Sequence, residues 1–166
     1  MSARPSATVD VMINAKAWKT AAPAIKKIVE RAVAAALTAE RIKNPVELSV
    51  VLATDAAVQK LNKAYSGKDK PTNVLSFPAG DPSLLGDVVL AYGTVAREAR
   101  TEEKPFQNHV SHLVVHGVLH LLGYDHEQVP EAEKMEARET KILAGLGIPD
   151  PYAAPVSVAR KARKKK

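Results

Sequence analysis

The sequence predicts an α/β (α+β) domain in which a small mixed sheet of about four strands packs with helices, with a metal site on a central helix. Segments with apolar residues at every second position and segments with apolar residues at helical spacing are intermixed along the whole chain. The 166 residues are 46% apolar, which suffices to bury one core. We therefore predict a single domain over residues 1–158.

Four segments have the pattern or the bounding residues typical of strands. The predicted strands are residues 8–13, 46–53, 73–77 and 87–92. In the first, Val9, Val11 and Ile13 share one face, which is expected to be buried. Pro78 stops the third strand, and residues 80–86 supply a turn, so the third and fourth strands are expected to pair as a hairpin.

The remaining segments predict helices, several of them with clear start or stop residues. The predicted helices are residues 21–40, 55–65, 94–105, 106–122 and 130–146. Pro45 marks the exit from the first helix, Thr54 can cap the second, and Gly67 ends it. Pro105 separates the third and fourth helices, and Gly147 follows the last one.

Composition narrows the chemistry and the location. Because the chain has no cysteine, disulfides, thiolate metal sites and cysteine nucleophiles are excluded, and a transition metal must use histidine and carboxylate ligands. No apolar run approaches the roughly 20 residues that span a bilayer, and the N-terminal residues lack the pattern of a signal peptide. We expect a cytoplasmic protein without a membrane partner.

The net charge of +6 resides entirely in the last residues. Residues 159–166 carry six basic side chains and no acid, which leaves 18 basic against 18 acidic residues in the rest of the chain. This predicts a neutral domain followed by a disordered basic tail. The tail is either a solubilising end or an electrostatic contact for RNA or the ribosome, and both interpretations stay open.

All five histidines lie between His109 and His126. On a helix, His109, His112, His116 and His120 fall on one side, and the valines between them fall on the other. His116 and His120 are four residues apart, so both imidazoles can reach one ion. For His109 and His112 we expect a role next to the metal ligands or facing RNA, with a plain surface position as the alternative.

A third ligand follows the helix. Gly123 can adopt the left-handed conformation that reverses the chain, and this turn brings His126 back over the same face. The resulting pattern, H-x-x-x-H-x-x-G-x-x-H, predicts one zinc ion held by three imidazoles, which leaves a fourth position for water, as in catalytic sites. Nickel, cobalt and iron are the alternative metals.

The same spacing with glutamate after the first histidine defines the metzincin peptidases, where that glutamate is the general base. Gly117 stands at this position here, so a peptidase loses its mechanism although the metal site is kept. Asp125 and Glu127 flank the last ligand and are the nearby carboxylates. We expect them to orient His126 and the turn, with a role as general base for either of them as the alternative.

Two long motifs resemble the YbeY endoribonuclease family of rRNA maturation factors: HGVLHLLGYDH at residues 116–126 and KDKPTNVLSFP at residues 68–78. GDVVL at residues 86–90 and the helix at 135–147 are also similar. The resemblance implies a metal-dependent endoribonuclease, specific for single-stranded RNA, that matures the 3′ end of 16S rRNA and contributes to ribosome quality control. It also implies that His116, His120 and His126 bind zinc, and that small-subunit ribosomal proteins and an assembly GTPase are partners.

The chain departs from the family pattern at one position. The family usually has Tyr-Arg before this second motif, and the arginine is thought to assist catalysis, whereas this chain has Tyr65 and Ser66. A serine cannot balance the developing charge on a phosphate as an arginine does. Either Lys68 or Lys70 replaces it or the activity is weak.

We therefore list His116, Lys68, Lys70 and Asp125 as candidate catalytic residues, with Thr72 and Asn73 as further candidates for positioning the RNA backbone. A non-catalytic ribosome-assembly factor with a structural zinc is the alternative function, and a hydrolase of another bond is the third.

Overall fold

Four strands form one mixed sheet in the part of the chain that the structure, a computed structural model, describes: residues 7–125 and 127–153. The strands are β1 (Ala7–Ile13), β2 (Val46–Ala53), β3 (Val74–Pro78) and β4 (Leu84–Ala91). Their order is β1-β2-β4-β3. The β1–β2 and β2–β4 pairs are parallel, and β3 pairs antiparallel with β4 at one edge. The predicted mixed sheet and its hairpin are confirmed.

Six helices surround this sheet within the described ranges. They are α1 (Ala17–Ala21), α2 (Ile25–Ala39), α3 (Asp55–Ser66), α4 (Tyr92–Thr101), α5 (Phe106–Leu121) and α6 (Val129–Gly145). The caps predicted for α3 are present, because Thr54 Oγ1 accepts a hydrogen bond from the Ala57 N–H and Gly67 has a φ of 76°. No helix in these ranges is long and apolar enough to traverse a bilayer.

The predicted helix over residues 21–40 is wrong at its start, because the chain forms α1 before it and breaks at Ala22. Ala22 is extended, with φ of −148°, as expected for a residue that precedes proline. Trp18 of α1 is completely buried, and its Nε1–H donates to the Ala53 carbonyl at 3.0 Å. This hydrogen bond ties α1 to the end of β2.

α5 is the central helix, as predicted, and it contacts α2, α4, α6, β3 and β4. Eleven of its sixteen residues are buried, including His109 and His112. The side of the helix that carries the imidazoles is therefore covered at these two histidines. The remaining two, His116 and His120, are half-buried near the C-terminal end of the helix, beside β3.

His126 and the predicted basic tail at residues 159–166 lie outside the described residues. The predictions for them, and the prediction that residues 1–158 form one domain, stay predictions.

Candidate metal centre

Two imidazoles of α5 converge on one point. The Nε2 atoms of His116 and His120 are 3.1 Å apart. The rings are nearly perpendicular, with centroids separated by 4.6 Å. The spacing of four residues on one helix produces this approach, as the sequence predicted.

The other ring nitrogen of each histidine is bonded to a group that can only accept. His116 Nδ1 lies 3.0 Å from a carboxylate oxygen of Glu139, and His120 Nδ1 lies 2.9 Å from the carbonyl oxygen of Tyr124. Both Nδ1 atoms must therefore donate, which assigns the lone pairs of the neutral rings to the two Nε2 atoms. Two lone pairs directed at each other repel unless a cation or a proton lies between them.

Glu139 of α6 accepts hydrogen bonds from His116 and from two neighbouring side chains. Its side chain is completely buried and also bonds to His112 Nε2 at 2.8 Å and to the hydroxyl of Tyr152, which donates at 3.0 Å. Burial pushes the pKa of Glu139 upward, but the hydrogen bonds from His112 and His116 outweigh burial and hold this pKa at about 2. A charged carboxylate therefore faces both imidazoles at neutral pH.

The turn after α5 places the acceptor for His120. Gly123 has a φ of 105°, so the chain reverses there as predicted, and the Tyr124 N–H donates back to the Leu119 carbonyl at 3.0 Å. The Tyr124 hydroxyl donates to Glu40 at 2.5 Å, and Arg138 also bonds to Glu40. This anchor fixes the Tyr124 carbonyl beside His120.

The donor atoms of His116 and His120 fit a zinc ion. Two nitrogens bound tetrahedrally at about 2.0–2.1 Å from zinc lie about 3.3 Å apart, close to the distance between the two Nε2 atoms. Metal-binding histidines also typically donate their second N–H to a carboxylate or a carbonyl, as both of these do. The predicted third ligand, His126, lies outside the described residues.

A second group of side chains within the described ranges is close enough to hold a metal ion: Glu98, Glu102 and His109. The two carboxylates and His109 Nε2 already have partners in the protein. His109 Nε2 and Asn73 Nδ2 both bond to Glu98, at 2.8 and 3.0 Å, and Lys104 pairs with Glu102 at 3.1 Å. The His116–His120 pair is the better candidate for a metal, since its two Nε2 atoms converge on one point beside an open cleft.

His109 and His112 are each bonded to a buried or half-buried glutamate, and neither faces the surface. The RNA-facing and surface interpretations are wrong for both. His112 shares Glu139 with His116, and its expected role beside a metal ligand stays a prediction.

A cleft of about 620 Å³ opens over the two imidazoles. Its walls are Thr72, Asn73, Val74, Leu75, Ser76 and Pro78 on one side, and His116, His120, Gly123, Tyr124, Asp125 and Glu127 on the other. The candidate residue Asp125 is exposed in this wall, and its carboxylate accepts a hydrogen bond from the Glu127 N–H at 3.1 Å. The cleft runs along the outer edge of β3.

The other candidate catalytic residues lie beside the cleft rather than in its wall. Lys68 and Lys70 are exposed in the loop that leads to Thr72 and β3. Asn62 Nδ2 donates to the Lys70 carbonyl at 2.9 Å and anchors this loop to α3. Ser66 ends α3, and its hydroxyl donates to the Asn62 carbonyl at 2.7 Å, so it is turned back onto its own helix.

Gly117 faces the sheet and not the cleft. A Cβ atom there would lie 2.5 Å from Val88 Cγ1, and the Gly117 carbonyl accepts a hydrogen bond from Ser76 Oγ at 3.2 Å. Glycine therefore lets α5 pack directly against β3 and β4. A glutamate side chain has no room at this position, which removes the general base of the metzincin mechanism.

Glu139 and Tyr152 were not predicted from the sequence, because they lie far from the histidine motif along the chain. One signal was present, because Glu139 interrupts the apolar stripe of α6 between Met135 and Ile142. A carboxylate on a buried helix face needs a hydrogen-bonding partner, and the histidines of α5 are that partner.

The chain is similar to one known family and to several known proteins. The family whose sequence pattern matches residues 11–147 is described as Endoribonuclease YbeY. A curated protein named Endoribonuclease YbeY from Bradyrhizobium sp. is 51% identical over 92% of this chain and 96% of its own length. A protein of the same name from Rhodopseudomonas palustris is 49% identical over 92% of this chain and 85% of its own. A solution structure from Thermotoga maritima has a TM-score of 0.54 at 24% identity, covers 90% of this chain and 99% of its own, and supports the fold.

Proposed function

This chain belongs to the YbeY endoribonuclease family, and on that premise we propose that it uses one zinc ion to cut single-stranded 16S rRNA near its 3′ end. The family makes the chain an endoribonuclease that acts on RNA. The metal, the ribosomal substrate and a role in ribosome quality control are the proposed part. A cytoplasmic location accompanies this substrate.

The observation that carries the zinc proposal is the approach of the His116 and His120 Nε2 atoms to 3.1 Å, with their lone pairs facing each other when both rings donate from Nδ1. Their direction follows from Glu139 and Tyr124, which accept the N–H of the opposite ring nitrogen. His116, His120 and, by the sequence pattern, His126 would hold the ion. Zinc in such a site supplies Lewis acidity and lowers the pKa of a bound water to about 7.

The remaining candidate residues have roles that follow from their positions. Lys68 and Lys70 attract phosphates, because their charges are exposed in the loop that leads to Thr72 in the cleft wall. Asp125 lies in the cleft wall beside the sequence position of His126, where a carboxylate can orient a ligand or accept a proton. Asn73 orients Glu98, since its Nδ2 donates to that carboxylate.

The family resemblance adds partners to the proposal. Small-subunit ribosomal proteins and an assembly GTPase are the expected partners. They would position the cleft next to the 3′ end of 16S rRNA within a ribosomal particle. A peptidase is disfavoured, because Gly117 packs on the sheet and offers no carboxylate.

The test is a paired measurement on one purified preparation of the full chain. Metal content is determined by elemental mass spectrometry, and cleavage of a single-stranded RNA from the 3′ end of 16S rRNA is followed for wild type and His120→Ala. We expect about one zinc per chain and cleavage in the wild type, with both lost in His120→Ala. Lys26→Ala, on the exposed face of α2, is the control and should match wild type.

Two results would contradict the proposal. Cleavage that persists unchanged in a folded, zinc-free His120→Ala variant would remove the metal from the reaction. Stoichiometric zinc without cleavage by any preparation would support the alternative, an assembly factor in which zinc is structural.

A further inference from the structure

An aromatic pair stands at the edge of the sheet, outside the cleft. Tyr65, near the end of α3, is 73% exposed, the largest exposed fraction among the large apolar and aromatic side chains of the described residues. Its ring packs on Phe77 of β3, with centroids 5.0 Å apart and an angle of 58° between the planes. Phe77 therefore contacts the tyrosine ring, and most of the Tyr65 surface stays exposed to solvent.

The position of this pair follows from the alternation of side chains along β3. Ser76 faces α5, because its hydroxyl bonds to Gly117, so Phe77 projects from the opposite face of the sheet. β3 is an edge strand, and its outer edge lines the cleft that holds His116 and His120. A strand of RNA that leaves the cleft across this edge therefore meets Tyr65 next.

The chain segment around Tyr65 is rich in lysine, while Asp87 of β4, the cross-strand partner of Phe77, places one exposed acid on the same face of the sheet. Four exposed lysines lie within eleven residues, Lys60, Lys63, Lys68 and Lys70, against the single acid Asp69. Asp69 lies 3.8 Å from Lys63, so one of the four charges is partly balanced. This excess is local, because basic and acidic residues are equal in number over residues 1–158. Phosphates bound at these lysines would bring bases to the tyrosine ring.

We propose that Tyr65, supported by Phe77, is a stacking platform for an unpaired base that flanks the cleavage site. The proposal rests on the proposed function, since it assigns part of the RNA path to the same cleft. An RNA base fits this surface better than an apolar segment of a protein, because an open aromatic ring in a segment with the exposed Lys68 and Lys70 suits the alternating bases and phosphates of a single strand. A base inside a duplex has no free face for the ring, so the platform also favours single-stranded RNA.

The first experiment measures binding by the zinc-free full chain, which separates binding from cleavage. A fluorescein-labelled single-stranded RNA from the 3′ end of 16S rRNA is titrated by anisotropy with wild type, Tyr65→Ala and Tyr65→Phe. We expect Tyr65→Ala to bind about 5- to 150-fold more weakly, the range for loss of one stacked base, and Tyr65→Phe to bind like wild type. Binding to the same RNA annealed to its complement should not change.

Salt dependence distinguishes stacking from charge. The slope of log K against log salt should be the same for Tyr65→Ala and wild type, whereas Lys68→Ala should reduce it by about 0.7 if one phosphate contact is lost. Lys26→Ala on α2 should change neither affinity nor slope. A 2-aminopurine placed along the RNA should be quenched at one position by wild type and Tyr65→Phe, but not by Tyr65→Ala.

Equal affinity and equal quenching for Tyr65→Ala and wild type would overturn the platform. Loss of binding to a ribosomal protein with no change for RNA would also overturn it, in favour of a protein partner. Since Tyr65 is exposed, Tyr65→Ala should keep the melting temperature of wild type, and a variant that melts earlier is replaced by Tyr65→Leu for the same comparison. If wild type cuts RNA while Tyr65→Ala binds normally, only the platform fails, whereas absence of cleavage by zinc-loaded wild type refutes the proposed function itself.

Discussion

Replacement of Glu139 by glutamine tests how the protein orients its metal ligands. The Glu139 carboxylate accepts hydrogen bonds from His112 and His116 at 2.8 and 3.0 Å. Glutamine keeps a carbonyl oxygen for both bonds but removes the negative charge. A hydrogen bond to a charged group contributes about 1.5–3 kcal/mol and a neutral one about 0.5–1.5 kcal/mol, so each bond loses about 1 kcal/mol.

This loss has two measurable consequences. The bond to His116 supports a metal ligand, and loss of such support typically weakens metal binding 10- to 100-fold, so we expect zinc affinity to fall about tenfold. Both bonds support the fold, so the metal-free variant should lose about 2 kcal/mol of unfolding free energy, or about 4–8 °C in melting temperature.

The assay is a competition titration of zinc between the protein and a chromogenic chelator, together with thermal unfolding of the metal-free protein. Glu136→Gln is the matched control, because Glu136 is exposed on the same helix and should change neither value. Nitrogen NMR of the imidazoles adds a direct readout, since wild type should carry the His116 proton on Nδ1. If Glu139→Gln is destabilised but binds zinc within twofold of wild type, Glu139 supports the fold only and the orientation argument is refuted.

Three further predictions concern packing, the substrate charge and the metal. Gly117→Ala should lower the free energy of unfolding, measured in urea, by about 1–3 kcal/mol, because the added Cβ would lie 2.5 Å from Val88. Gly145→Ala in α6 is the control, since its Cβ meets nothing within 4 Å and the change should be neutral or stabilising. Equal effects of the two substitutions would contradict the packing argument. Ser66→Arg should raise the single-turnover rate of RNA cleavage about tenfold or more, since a cation then reaches the phosphate, and an unchanged rate would assign that task to the neighbouring lysines. Removal of zinc by a chelator should lower the melting temperature by about 5–10 °C relative to protein at 100 times the zinc dissociation constant, and no shift would contradict a metal that binds only the folded state.

Local signals determined much of the fold from the sequence. The bounds of β2 matched the prediction, and the cap at Thr54 and the end of α3 at Gly67 were found because each depends on a side chain or a φ angle within a few residues. The approach of His116 and His120 was also predictable, since helical geometry alone brings residues four apart together.

Where two local signals compete, the sequence was less informative. Residues 21–40 have continuous helical spacing, but Pro23 forces Ala22 into an extended conformation, and the chain before it forms α1. Trp18 then reaches the Ala53 carbonyl from that short helix. The periodicity signalled the apolar face of α2 but not the place where the helix begins.

Tertiary structure alone decided which carboxylates surround His109, His112 and His116. His109 and His112 belong to the same helical face as the predicted ligands, yet α4 and α6 cover them and supply Glu98 and Glu139. The order β1-β2-β4-β3 likewise places β3 at the edge, where its outer side becomes the wall of the cleft. The spacing of residues along one helix fixes which side chains share a face, but the elements that pack on that face come from distant parts of the chain. The sequence therefore predicted three candidate metal ligands and the turn that places the Tyr124 carbonyl beside His120, and only long-range packing supplied the Glu139 carboxylate that orients His116.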